Sequence, residues 1–314
     1  MRTQLLVIVA AVGVTAGCAA EPEPPAPEPE AAAPAPVPLP AIIVAERGGF
    51  IPEGIEYDTA GGRFLAGSLS EGSIFEIHSD GRVTAAVSDS DLVSSVGIEA
   101  DEPRNRLLVA NSDRAAFQGG TGQAKLGVYD LTTGDRMAMI DLAAANSGAD
   151  AYFANDVTVG DDGTAYVTDT MANAIYRVDS AYEASVLHRF DGEGGPNGIV
   201  YDPSGLLLVA HGGTLWKVPL DDPTGATEVA LPEEVPGQDG MVWTSDGRLA
   251  IVSSSGNRVV ALRSSDGWAT AELAGVAPYE VQATTAAVAG DDIYVVHPHF
   301  ADEDPPSVER VAFE

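Results

Sequence analysis

The sequence predicts an all-β fold, a six-bladed β-propeller closed by an N-terminal strand. Three observations carry that expectation. From Ala41 to Glu314 short apolar runs alternate with turn residues, as in Asp202-Pro203-Ser204-Gly205 followed by Leu206-Leu207-Leu208-Val209-Ala210; this is the pattern of hairpins, not of helices. One such unit recurs six times. Its starts read Pro52-Glu53-Gly54-Ile55, Val96-Gly97-Ile98, Ala154-Asn155-Asp156-Val157, Pro196-Asn197-Gly198-Ile199, Gln238-Asp239-Gly240-Met241 and, in a degenerate copy, Ala283-Thr284. The repeat length is the third observation: Asn155, Asn197 and Asp239 follow one another at 42 residues, and Glu53 precedes Val96 by 43, the length of a four-stranded blade.

The elements follow in order. Residues 1–17 have the form of a signal peptide, with Arg2 ahead of the ten-residue apolar run Leu5 to Val14, too short for an ordinary membrane-spanning helix of about 20 residues. Thr15-Ala16-Gly17-Cys18 resembles a bacterial lipobox, with Thr15 where a larger aliphatic residue is usual. That resemblance implies lipidation of Cys18 and an exported protein anchored to a bacterial membrane, on its periplasmic or cell-surface side. Residues 18–40 read as the lipidated cysteine and a tether: nine of the 22 residues from Ala19 to Pro40 are proline, and polyproline II at about 3.1 Å per residue extends to roughly 70 Å.

Residues 41–314 are the propeller domain. The interval from Val96 to Asn155 is 59 residues, so the second unit carries an insertion. It falls between Asn111 and Lys125, around Gln118-Gly119-Gly120-Thr121-Gly122, and reads as a long turn in preference to a lid. The last unit, ending in Ser307 to Phe313, is one strand short. Ala41-Ile42-Ile43-Val44-Ala45 is expected to supply that strand and remove an exposed edge. Cys18 is the only cysteine, so no intrachain disulfide forms and packing alone stabilises the domain.

The charge narrows the partners. With 47 acidic against 16 basic residues and a formal charge of −31, the chain repels phosphate backbones and anionic lipid surfaces. Nucleic acid is excluded as a partner, and contact with a membrane is expected through the lipid anchor only.

In a propeller the first strand of each blade lines the central channel, so equivalent positions at the strand starts converge on one ring. Glu53, Asn155, Asn197 and Asp239 hold that position in units one, three, four and five, with Val96 and Ala283 in units two and six. Two carboxylates and two amide oxygens are an all-oxygen set suited to a hard cation at about 2.3–2.6 Å, calcium best, with another divalent cation open. His211 and His297 end the second strands of their units, as do Asn111 and Asp169.

On these motifs the chain resembles the gluconolactonase and senescence-marker-protein family, which includes regucalcin; diisopropylfluorophosphatase and the paraoxonases are more distant relatives. The resemblance covers nearly all of Ala41 to Glu314 and implies that Glu53, Asn155, Asn197 and Asp239 bind a catalytic divalent metal. His297 resembles a last-blade histidine of the paraoxonase type. The expected function is calcium-dependent hydrolysis of a small-molecule lactone or related ester, with Asp239 or His297 as general base. Asn111, Asp169 and His211 are candidate substrate contacts. Phosphotriester hydrolysis and a non-catalytic scaffold propeller remain as alternatives.

Overall fold

Strand pairing follows the repeat. The computed structural model describes residues 10, 11, 13, 38–300 and 304–314; Cys18 lies outside the described residues. Within Leu39–Glu314, β1 (Ile42–Val44) is followed by four-stranded antiparallel meanders. The first comprises β2 (Ile55–Asp58), β3 (Arg63–Ala66), β4 (Ile74–Ile77) and β5 (Val83–Val87). The second comprises β6 (Ser94–Asp101), β7 (Arg106–Ser112), β8 (Gly122–Asp130) and β9 (Arg136–Asp141), and the third β10 (Tyr152–Val159), β11 (Ala165–Asp169), β12 (Ala174–Val178) and β13 (Ala184–Arg189). The fourth is β14 (Pro196–Asp202), β15 (Leu206–His211), β16 (Thr214–Pro219) and the two-residue β17 (Thr227–Glu228); the fifth is β18 (Gln238–Trp243), β19 (Leu249–Ser253), β20 (Arg258–Arg263) and β21 (Glu272–Pro278). β22 (Ala286–Ala289), β23 (Asp292–His297) and β24 (Ser307–Val311) end the chain, and β1 pairs antiparallel with β24.

This is an all-β propeller with almost no helix. The second and third meanders run together as one eight-stranded sheet, with β9 branching from β8, because β8 and β10 share a two-residue parallel pairing at Tyr152–Gly122 and Phe153–Gln123. Among the described residues no helix is long and apolar enough to cross a membrane.

The core lies between sheets, because each sheet turns an apolar face to both neighbours. Leu65, Val87, Ile98 and Val109 join the first meander to the second; Leu108, Val128, Val157 and Tyr176 join the second to the third; Tyr166, Ile175, Ile199 and Val209 join the third to the fourth. Phe64 and Phe75 meet Tyr294 and Val308, so the last sheet packs against the first. Phe64 and Tyr294 stand edge to face at 5.0 Å, a geometry that adds to plain area burial.

The inner strands β2, β6, β10, β14, β18 and β22 all begin at one end of the domain, here called the ring end. Pairing loses register between Ser95 and Ile98, Ala154 and Val157, Pro196 and Ile199, and Gln238 and Met241. The same irregularity at four equivalent places re-aims the residues inside it. Glycine follows for a steric reason. A Cβ on Gly54 would lie 2.4 Å from the Val96 carbonyl oxygen, and one on Gly198 2.2 Å from the Asp239 carbonyl oxygen. The Glu-Gly, Asn-Gly and Asp-Gly pairs of the repeat therefore mark the close approach of neighbouring inner strands.

The insertion is a structured turn between β7 and β8. Asp113 accepts a hydrogen bond from the Ala115 amide and starts a short 3-10 helix, Arg114–Gln118, which Gly119 ends in the left-handed conformation.

Candidate metal centre

Glu53, Asn155 and Asn197 line one cavity of about 200 Å³ along the inner strands. Asp239 adjoins Gly240, which is part of the same lining, and its carboxylate lies beside the Asn197 and Ser254 side chains. Hydrogen bonds between neighbouring sheets fix the ring: the Thr284 hydroxyl donates to the Glu53 carbonyl at 2.8 Å, the Gly54 amide to the Val96 carbonyl at 3.1 Å, and the Thr168 hydroxyl to the Asn197 carbonyl at 2.7 Å.

Asn155 shows most clearly what this ring is built for. Its side chain is 6% exposed, and its Nδ2 donates to Thr170 Oγ1 at 2.8 Å, which fixes the amide. Thr170 Oγ1 in turn donates a hydrogen bond to the Pro196 carbonyl at 2.8 Å. Asn155 Oδ1 is left buried with no hydrogen-bond donor. An orphaned buried oxygen costs about 1–3 kcal/mol unless something positive meets it. Among the described residues no three His, Cys, Asp or Glu side chains cluster closely enough to hold a metal, so an ion here depends on the amide oxygens.

The electrostatics agree. Burial pushes the Glu53 carboxyl well above its usual range, with Asp239 and Asp156 adding repulsion. Asp239 is raised to about 7, again chiefly by burial, while the donors from Asn197 and Ser254 pull against the shift. Two carboxylates held this close without a cation prefer to keep protons.

Three further carboxylates enter the same cavity, and the repeat did not reveal them. Asp156 stands where most units carry glycine. It accepts the Val157 amide at 2.9 Å and, across the sheet boundary, the Ile199 amide at 3.1 Å; burial raises it to about 7. Glu56 and Glu99 lie three residues along from Glu53 and Val96. Burial raises Glu56 well above its usual range and Glu99 to about 8, with repulsion from Glu99 and Asp156 on the first and from Asp156 and Asp101 on the second. The available signal was a lone glutamate inside an apolar strand, in Ile55-Glu56-Tyr57 and Ile98-Glu99-Ala100.

A model of the family described as the SMP-30/Gluconolactonase/LRE-like region matches residues 51–296. The chain belongs to that family. No curated protein matched. Among solved structures, the Malassezia sympodialis allergen Mala s 1 superposes with a TM-score of 0.74 at 17% identity over 88% of this chain and 97% of its own. Regucalcin from Agrobacterium tumefaciens, titled a calcium-binding protein, gives 0.63 at 19% over 87% and 95%. A gluconolactonase from Xanthomonas campestris gives 0.61 at 15% over 87% and 89%. These likenesses establish the fold.

Within this member of the SMP-30/gluconolactonase family, the candidates at the second-strand ends are not gathered around the ring; most serve as clasps. Asn111 is fully buried, accepts the Val93 amide at 2.9 Å and donates to the Asp91 carbonyl at 2.8 Å. Asp169, also fully buried, accepts the amides of Phe153, Met171 and Ala172 and the Tyr176 hydroxyl. Ser68 and Ser253 hold the Phe50 and Pro236 carbonyls from equivalent places. Each clasp ties the end of a second strand to the segment entering its own sheet, and neither Asn111 nor Asp169 lines the cavity.

His297 belongs to the same set. It is 1% exposed, with Nδ1 at 3.3 Å from the Gln282 carbonyl and Nε2 at 2.9 Å from Glu309. Both ring nitrogens thus face protein oxygens. His211 sits elsewhere. Its ring stacks on Phe190 at 4.2 Å and its Nε2 meets Asn173 Oδ1 at 2.8 Å; burial and the nearby His188 lower its pKa. Neither histidine lines the cavity that holds Glu53 and Asn155.

Proposed function

We propose that this protein is a divalent-cation-dependent hydrolase of lactones or related esters. The observation that carries the reading is the orphaned Asn155 Oδ1 in a ring completed by Glu53, Asn197 and Asp239. Two carboxylates and two amide oxygens suit calcium, whose affinity rises with the number of charged ligands. Family membership and the printed names of the gluconolactonase and regucalcin structures support the same choice.

A cation held by these four residues would supply Lewis-acid polarisation of the ester carbonyl. The protein's own part is positional. Thr170 fixes the Asn155 amide, Asn197 and Ser254 neighbour the Asp239 carboxylate and temper its raised pKa, and hydrogen bonds between neighbouring sheets hold the ring against its own repulsion. Asp239 takes the proton of the attacking water and returns it to the leaving alkoxide, a task that suits a carboxylate of raised pKa. His297 is committed to Glu309 and Gln282 and leaves that task to Asp239.

The same proposal covers architecture and location. The second and third meanders count as two blades of a six-bladed ring, with β1 completing the last. Cys18 carries the lipid of an exported protein. Because Val44 pairs with Ser307 and Ser307 with His297, β1 runs towards the ring end.

A lactone panel assayed with a pH indicator tests the function. Turnover is expected to disappear with chelator, return with calcium, and fall at least 100-fold in Glu53→Gln and Asp239→Asn. Turnover that survives in calcium-free Asp239→Asn protein defeats the reading, and absence of any turnover by the calcium-loaded wild type leaves a scaffold.

A further inference from the structure

We infer that the ring end takes a substrate with an apolar arm, and that the arm lies against Phe117 on the inserted turn. The inference rests on the hydrolase reading and names the substrate class for that site. Among the described residues nine large hydrophobic side chains are exposed. Five of them, Val93, Phe117, Met171, Val281 and Phe300, sit on connections at the ring end, where the inner strands begin. Ile42 and Val44 lie on the added strand, and Met137 and Leu273 near the far end. Scattered exposed hydrophobics are ordinary; a bias towards the end that carries the ring is not.

The connections carrying those five residues belong to the first, second, third, fifth and last sheets, while the fourth offers Gly212 and Gly213 there. Exposed carboxylates accompany them around the same end, Asp91, Asp150, Asp191, Glu193, Glu234 and Glu280. An uncharged apolar chain finds contact there, and an anionic group meets repulsion.

Phe117 is the best-placed member. It is 59% exposed, yet its ring packs edge-on against Phe153 at 4.7 Å, and Phe153 is two residues from Asn155. The platform beneath it is fixed: the Phe153 amide is held by Asp169 at 2.7 Å, and Asp113 caps the short helix that carries Phe117. A Cβ on Gly122 would lie 2.4 Å from the Tyr152 carbonyl oxygen, so the turn seats closely on the third sheet's entry. An exposed aromatic ring on so firm a base, at the end of the domain where the ring of oxygens lies, is a wall for the part of a substrate that extends past its carbonyl.

Two calcium-loaded assays test this. The first compares kcat/KM for a long-chain alkyl lactone with that for a polyhydroxylated δ-lactone in wild type, Phe117→Ser, Phe117→Leu and the far-end control Leu273→Ser. The alkyl preference is expected to drop about tenfold in Phe117→Ser through KM, recover in Phe117→Leu and stay unchanged in Leu273→Ser. The second measures binding of a long-chain alkyl lactam, an analogue not hydrolysed under assay conditions, with the same Phe117→Ser loss expected. Lactone turnover indifferent to chain length and to Phe117 overturns the inference while the hydrolase reading stands. Lactam binding that depends on Phe117 without lactone turnover sustains the inference and overturns the hydrolase reading. Lactam binding equal in wild type and Phe117→Ser defeats the wall in either case.

Discussion

Glu99→Gln isolates the energetic strain of the channel carboxylates. Burial raises Glu99 from 4.5 to about 8, so the folded protein holds this proton more tightly than the unfolded chain does. Its favourable contribution is complete below the unfolded value, declines as pH rises through the intervening range, and is lost above about 8. At about 1.4 kcal/mol per pKa unit the ceiling is roughly 5 kcal/mol. Glu99 is only half-buried and shares its field with Asp156 and Asp101, so about 2 kcal/mol is the working figure. Glutamine keeps the shape and never ionises. In chelator-treated protein, thermal melts from pH 5 to pH 9 should show the two proteins within about 1 °C at pH 5 and the variant about 5 °C more stable at pH 9. Parallel curves for the two proteins, or a variant less stable at pH 9, would refute the argument that Glu99 carries a burial penalty.

Other perturbations test the scaffold. Gly198→Ala places a methyl group 2.2 Å from the Asp239 carbonyl oxygen and should cost about 2–3 kcal/mol in chemical denaturation, whereas Gly148→Ala, with nothing within 4 Å, should stay within about 0.5 kcal/mol. Deleting residues 41–47 removes β1 and the buried Ile43 and should lower the melting temperature, while deleting residues 21–37 should not; equal melting temperatures would argue against β1 as a structural strand. His297→Gln should leave calcium affinity within about twofold and lower the melting temperature, because it breaks a clasp and leaves Glu309 without its partner; lost turnover with an unchanged melt would restore a catalytic role for His297.

The repeat was legible because propeller geometry imposes it. Glu53, Asn155, Asn197 and Asp239 recur in register because each opens an inner strand, and three of them are followed by glycine because the next inner strand leaves no room for a Cβ. That steric demand is local, so it writes itself into adjacent residues. The roles of Asn111, Asp169 and His297 were not legible in the same way. Polar residues at the ends of second strands suit either a substrate or a loop, and the partners that the fold gives them, such as Glu309 for His297 and Phe153 for Asp169, stand 12 and 16 residues away. Asp156 escaped notice because it fills a glycine position, where its carboxylate spans two sheets that a linear repeat treats as separate units.

The claim that organises the rest is that four side chains at the inner-strand starts hold one divalent cation. Anomalous diffraction from crystals soaked in manganese or a lanthanide, as stand-ins for calcium, tests it directly. The account predicts one strong peak within about 2.1–2.6 Å of Glu53, Asn155 Oδ1, Asn197 and Asp239. Water alone among these four oxygens, with the ion bound elsewhere or not at all, would contradict it.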